Sequence, residues 1–243
     1  MGGMLQRFGE RLAGYLTRPR PNLRPAPVAG NVDWREHLQP CDVLLVDGAS
    51  KVSAAIKYLT QSTWSHAALY VGEDSGLERD GAAATLIEAD MAEGVRAVPL
   101  SAYEAYNVRI CRPAELTRED AASVVRFAVD ALGQQYDLRN VFDLARYLLP
   151  EPPVPMRFRR RLMMLGSGEP TRAICSTLIA RAFQSVGYPI VPDLHAEHPD
   201  GPRFAQRHHS FITPRDFDLS PYFDVVKPTL STHFDYRQFP WHE

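Results

Sequence analysis

The chain has 243 residues, with 27 Lys and Arg against 29 Asp and Glu and a formal charge of −2. That balance argues against a dedicated duplex nucleic-acid binder, and 45% hydrophobic with 23% charged residues excludes a disordered segment or a coiled coil. Cys41, Cys111 and Cys175 are too few for a disulfide framework and too widely spaced for a zinc chelate, which points to a reducing compartment.

Met4, Leu5, Phe8, Leu12, Tyr15 and Leu16 recur at mainly helical spacing, so residues 4–16 read as a short amphipathic helix. Packing on the protein body is the plain reading. A weak membrane-surface contact is the alternative, because Arg18 and Arg20 follow. There is no unbroken secretory-type apolar core, and no stretch approaches the roughly 18 apolar residues of a membrane span. A cytoplasmic location, at most peripheral to a membrane, is therefore expected. Residues 19–30 carry four prolines without periodicity and read as an extended connector. The expected organisation is thus an N-terminal helix and connector over 1–30, then one domain with a C-terminal extension over 31–243.

Residues 41–47 form a compact apolar run and read as a strand, followed by a helix over 50–61 with Ser50 as a cap. Strand patterns at 66–71 and 84–89 suggest a hairpin, and 94–98 and 107–111 supply two more strands around a helical interruption at 100–106. These connections are too short for repeated crossover helices, so the sheet is expected to be antiparallel. From Thr117 the period becomes helical. Asp120 stands at the capping-box position, and Ala121, Val124, Val125, Ala128 and Leu132 make an apolar face before Gly133. A further helix is expected over 137–149, then an exposed basic loop containing Arg157 to Arg161. Phe158 is the only aromatic of that loop, so nucleic-acid binding is not expected. Residues 175–187 return to a helical pattern. The last 55 residues, rich in Pro, His and aromatics, are expected to wrap the sheet or add a lid and short strands near Phe223 to Val226.

The sharpest chemical pattern is ICSTLIARAF, residues 174–183, which puts Cys175 in the first turn of a helix, where exposed N–H groups favour a thiolate. A buried packing cysteine is the competing reading. His66 opens a strand after a polar turn, a place that can present an imidazole at a sheet rim. Glu88 lies on the neighbouring predicted strand, where cross-strand pairing could set its carboxylate against His66. Structural roles compete at both positions: a hydrogen-bonding strand-end histidine and a strand-edge glutamate beside Asp90.

Taken together, WSHAALYVG, LIEAD, GQQYD and ICSTLIARAF resemble the circularly permuted papain-like hydrolases of the NlpC/P60 superfamily, YiiX/YebB-like branch, over roughly residues 39–190. The resemblance implies an α+β fold with a central antiparallel sheet packed against helices. It also implies a cysteine-dependent hydrolase, an amidase or peptidase, that works without a cofactor or metal. By it Cys175 is the nucleophile, His66 the base and Glu88 the orienting group, in the permuted order His, Glu, Cys. Asp42 matches the Asp of the family's Gly-Asp opening, with Cys41 where glycine is usual. Tyr136 and Asp137 match its Tyr-Asp pair, so Asp42, Tyr136 and Asp137 are substrate-pocket candidates. Thr177 departs from the family's Cys-Ser-Glu-Leu.

The implied substrate is a peptide, an amino-acid amide or an acyl lipid. A lipid acyltransferase or phospholipase is the nearest enzyme alternative, and a non-catalytic binding protein on the same fold is the alternative from another class. A zinc hydrolase built on His195, His198, His208, His209 and His233 is less favoured, because neither HExxH nor a compact Cys/His motif is present.

Overall fold

The structure is a computed structural model that describes residues 33–90, 93–135, 174–195 and 203–226. The helix expected at 4–16, the connector at 19–30, the helix at 137–149 and the basic loop lie outside these residues.

Six strands form one sheet in the order β10-β7-β1-β2-β5-β6: β1 (Val43–Val46), β2 (His66–Tyr70), β5 (Leu86–Asp90), β6 (Gly94–Val98), β7 (Val108–Pro113) and β10 (Phe223–Val226). All five pairings are antiparallel; β5–β6 is joined by a short turn, whereas β1–β7 and β7–β10 join strands far apart in sequence. Two small hairpins stand apart, β3 (Glu78–Arg79) with β4 (Ala82–Ala83), and β8 (Pro192–His195) with β9 (Arg203–Gln206). The sequence VLLV of β1 has no polar side because both sheet faces are covered there, and all four residues are buried.

Alternation along the strands divides the core in two. Val43, Leu45, Ala67, Leu69, Ile87 and Ala89 meet the helices α2 (Arg118–Asp130) and α3 (Ile174–Ser185) through Val124, Ala128, Ile179 and Phe183. On the other face Leu44, Val46, Ala68, Tyr70, Leu86 and Val98 lie under Trp34, Leu38, Leu100, Tyr103 and Tyr106. Tyr103 comes from a 3-10 turn at Leu100–Tyr103, within the interruption expected between β6 and β7.

The helix starts follow the sequence signals. Ser50 accepts from the Ser53 N–H at the head of α1 (Lys51–Thr60), and Thr117 accepts from the Asp120 N–H at the head of α2. Beyond α2 the chain turns at Gly133 and is clasped to β6: the Val95 N–H donates to the Gln134 carbonyl at 3.0 Å, and the Gly133 N–H to the Val95 carbonyl at 2.9 Å. Gly94 permits this approach, since with φ +77° a Cβ there would stand 2.3 Å from the Gln134 oxygen.

The C-terminal region adds β10 to the sheet edge and a short helix α4 (Pro214–Leu219), started by a Thr213/Asp216 capping box. It also reaches the cysteine helix. Ser176 Oγ donates to the Ile212 carbonyl at 2.6 Å, so the tail is fixed to the first turn of α3. Asp218 of α4 accepts from Trp64 Nε1 at 3.0 Å and from Arg109 at 2.5 Å, while the Arg109 guanidinium lies 5.0 Å from the centre of the Trp64 ring.

Candidate active site

β2 and β5 share register only at Leu69↔Ile87 and Tyr70↔Leu86. His66 and Glu88 both lie beyond that paired stretch, and their side chains bridge it: His66 Nε2 is 2.7 Å from Glu88 Oε2. Glu88 is almost wholly buried, and a buried carboxylate requires compensating donors. It has them on both oxygens. Oε1 accepts from Arg96 Nε at 2.8 Å and lies 2.7 Å from Arg96 Nη2, whereas Oε2 faces His66 and also accepts from the Tyr103 hydroxyl. Burial alone would raise the pKa of Glu88. The His66 charge and hydrogen bond, the Tyr103 hydrogen bond and the Arg96 charge outweigh it and bring the pKa down to about 2.

Because Glu88 occupies Nε2, the ring nitrogen left to His66 is Nδ1. Burial pulls His66 toward the neutral form. The charge on Cys175, the charge on Glu88 and side-chain hydrogen bonds with both act the other way and hold its pKa well above the usual 6.5. The imidazole is therefore held between the two side chains, with the tilted Tyr103 ring centred 6.0 Å away.

Cys175 is the second residue of α3 and is 4% exposed. It lies in the turn whose N–H groups lack partners within the helix, where the helix dipole favours a negative charge. Leu178, Ile179, Ala182 and Phe183 follow at helical spacing and bury the helix against the sheet, so the packing that fixes α3 also fixes its start.

Of the residues singled out in the sequence, the structure brings His66, Glu88 and Cys175 together. Asp42 is fully buried at the far end of β1, four residues from Val46, the register partner of His66. Its carboxylate accepts from Arg112 Nε at 2.9 Å, Arg112 Nη2 at 2.7 Å and the Gln39 N–H at 2.8 Å. Tyr136 and Asp137 lie outside the described residues. The last residues described before them follow the clasp of Gln134 on Val95, next to the Asp90–Gly94 end of the β5–β6 pair. Cys41 has a left-handed backbone, with φ 75°. Asp47, at the end of β1 beside His66, pairs with Lys57 at 2.6 Å.

Arg96 and Tyr103 were missed in the sequence. Arg96 could have been found by counting outward from the β5–β6 turn, since Asp90↔Gly94 makes Glu88↔Arg96 a directly opposed pair. For Tyr103, fifteen residues from Glu88 and on a separate turn, no local signal exists. Among the described residues no group of three or more His, Cys, Asp and Glu could hold a metal ion. His198 and His233 lie outside them.

The sequence profile of the permuted papain-like amidase enzymes, YaeF/YiiX, C92 family, matches residues 37–147, a span that includes His66 and Glu88 and stops short of Cys175. The probable lipoprotein peptidase YaeF of Escherichia coli strain K12 is 24% identical over 169 residues, 63% of this chain and 58% of that protein, so the chain spans less than two thirds of that relative's length. A crystal structure of the metalloprotein YiiX from Escherichia coli O157:H7 is similar at 17% identity and a TM-score of 0.46, covering 78% of this chain and 96% of that one. Over residues 37–147 the chain matches the YaeF/YiiX family of permuted papain-like amidases, and its likeness to YaeF points the same way.

Proposed function

We propose that this chain is a cysteine-dependent hydrolase of amide or peptide bonds, with Cys175 as nucleophile, His66 as general base and acid, and Glu88 as the group that orients and charges the imidazole. The observation that carries the reading is His66 held between Glu88 and Cys175, with its pKa lifted by both. An amide substrate is supported by the family's description as amidases and by the peptidase name of its relative YaeF.

In the proposed reaction His66 Nδ1 takes the proton of Cys175, and Sγ attacks the substrate carbonyl carbon to form a C–S bond. The carbonyl electron pair moves to oxygen, where the backbone N–H of Cys175 is one stabilising donor. The oxyanion then collapses and the C–N bond breaks as His66 returns its proton to the leaving nitrogen, giving an amine and a thioester. Water adds to the thioester with His66 again as base, releasing the acid and restoring the thiol. Glu88 stays ionised throughout, and its low pKa favours leaving the proton on the imidazole.

We take residues 31–243 as the catalytic unit and a reducing compartment as its location. Three free, buried cysteines among the described residues support the latter. No described helix is long and apolar enough to cross a membrane.

The test is a pH-dependent alkylation time course with intact-protein and peptide mass spectrometry on the native chain, His66→Ala and Cys175→Ser. Fast labelling confined to Cys175 that slows in His66→Ala supports the pair, and screens against peptide amides and acyl lipids then assign the substrate. Slow labelling of Cys175 that His66→Ala leaves unchanged would overturn it in favour of a binding protein.

A further inference from the structure

The carboxylate of Glu88 is divided between two sets of partners. Arg96 grips Oε1 through Nε at 2.8 Å and Nη2 at 2.7 Å, while Oε2 faces His66 Nε2 at 2.7 Å and also accepts from Tyr103. A carboxylate free to rotate about its last bond would offer either oxygen to the imidazole at a variable angle. Here the fork of Arg96 fixes one oxygen and the tyrosine hydroxyl fixes the direction of the other. Arg96 is itself held, by Asp90 at 3.4 Å and by Glu93 at 2.5 Å, and Glu93 is anchored from its other oxygen by Arg79 at 2.7 Å. Tyr103 is braced by Tyr106, ring centres 5.9 Å apart.

Resting on the reading above, we infer that Arg96 and Tyr103 are positioning residues of the reaction: together they lock Glu88 so that His66 keeps Nε2 on the carboxylate and Nδ1 toward Cys175. Both act through Glu88, although Tyr103 also lies within electrostatic reach of Cys175.

Arg96 supplies charge as well as geometry, whereas Tyr103 supplies only a hydrogen bond and a neighbouring ring. The groups facing Glu88 are His66 from β2, Arg96 from β6 and Tyr103 from the turn after it, with Cys175 from α3 beyond the imidazole, and Asp90 and Glu93 on the outer side of Arg96. Among these partners His66, Tyr103 and Arg96 all favour the ionised carboxylate, so loss of either positioning residue lets Glu88 take up a proton at higher pH.

The experiment measures the rate of Cys175 alkylation by iodoacetamide against pH in the full chain and in Tyr103→Phe, Arg96→Gln, Arg96→Lys and His66→Ala, with thermal unfolding of each variant as a folding control. Tyr103→Phe keeps the ring and removes one hydrogen bond to a charged acceptor; labelling at neutral pH is expected to slow roughly tenfold, and its acid limb to move to higher pH. Arg96→Gln is expected to do the same or more. Arg96→Lys, which restores the charge without the two-point grip, is expected to return the acid limb but not the full rate. A folded Tyr103→Phe and a folded Arg96→Gln that both label within about twofold of wild type, with unchanged pH profiles, overturn the inference while a slowed His66→Ala leaves the catalytic reading standing. Labelling unaffected in His66→Ala overturns both.

Discussion

Asp42, immediately before β1, and Arg112 of β7 form a two-point ion pair at 2.9 and 2.7 Å in which the carboxylate has no solvent exposure. Arg112 also donates to the His37 carbonyl at 2.5 Å, so the pair ties the entry turn of the chain to the middle of the sheet. At a strand rise of about 3.3 Å per residue, Asp42 lies roughly 13 Å along β1 from the partner of His66. Asp42→Asn removes the buried partner of a partly exposed guanidinium, and it is expected to cost about 1–3 kcal/mol of stability. Urea unfolding reads that loss. Cys175 in the folded variant is expected to label at the wild-type rate, and a slowed rate would support Asp42 as part of the reaction pocket.

Cys41 occupies a position where the resemblance places glycine, and its φ of 75° shows why glycine suits the turn. The cysteine carries the cost of a left-handed backbone, about 1–2 kcal/mol, and offsets it with a buried side chain whose Sγ lies 3.4 Å from the Ala121 carbonyl. Cys41→Gly exchanges those two terms and is expected to shift stability by no more than about 1 kcal/mol in either direction. Cys41→Val keeps the burial but adds a branch at Cβ in the same backbone conformation; a loss of at least about 2 kcal/mol is expected. Thermal unfolding of the two variants decides it, since a valine protein as stable as the glycine one would mean the turn is not held at positive φ.

The parts legible in the sequence are those fixed by short-range physics. Apolar runs located β1, β2, β5, β6 and β7, and side-chain oxygens followed at the right interval by backbone donors located the starts of α1 and α2. The meeting of His66 and Glu88 was legible because both open toward the same rim of neighbouring strands. Strand order was not, since β7 reaches β1 and β10 reaches β7 only through packing over long separations. Tyr103 and the docking of α4 on Trp64 and Arg109 belong to the same class. Burial of Glu88 needed donors, and a sequence announces the need without naming the distant residue that meets it.

The coupled pair of His66 and Glu88 sets a window for stability. Glu88 has a folded pKa of about 2, below its ordinary 4.5, so the stability it contributes is complete above 4.5 and is lost as pH falls through that range. His66 has a folded pKa well above 6.5, so its contribution is complete below 6.5 and is lost as pH rises through the folded value. The pair is therefore worth most between those limits. Melting temperatures measured across pH should show the wild type losing more than Glu88→Gln on acidification below about pH 4.5. Parallel curves for the two proteins would show that Glu88 is not ionised in the folded state.

His66 itself gives the sharpest electrostatic test. Burial opposes its protonation, and of the groups that reverse this the charge on Cys175 acts more strongly than the charge on Glu88. An NMR titration of the His66 ring should place its midpoint above 6.5 in the native chain, with both Cys175→Ser and Glu88→Gln lowering it by about one unit or more. The alkaline limb of amide hydrolysis follows the same group, since the imidazolium must supply the proton to the leaving nitrogen; Glu88→Gln therefore brings that limb to lower pH. A midpoint that stays in place in Cys175→Ser would mean that the thiol bears no charge beside the imidazole, and the ion pair on which the proposed attack depends would be absent.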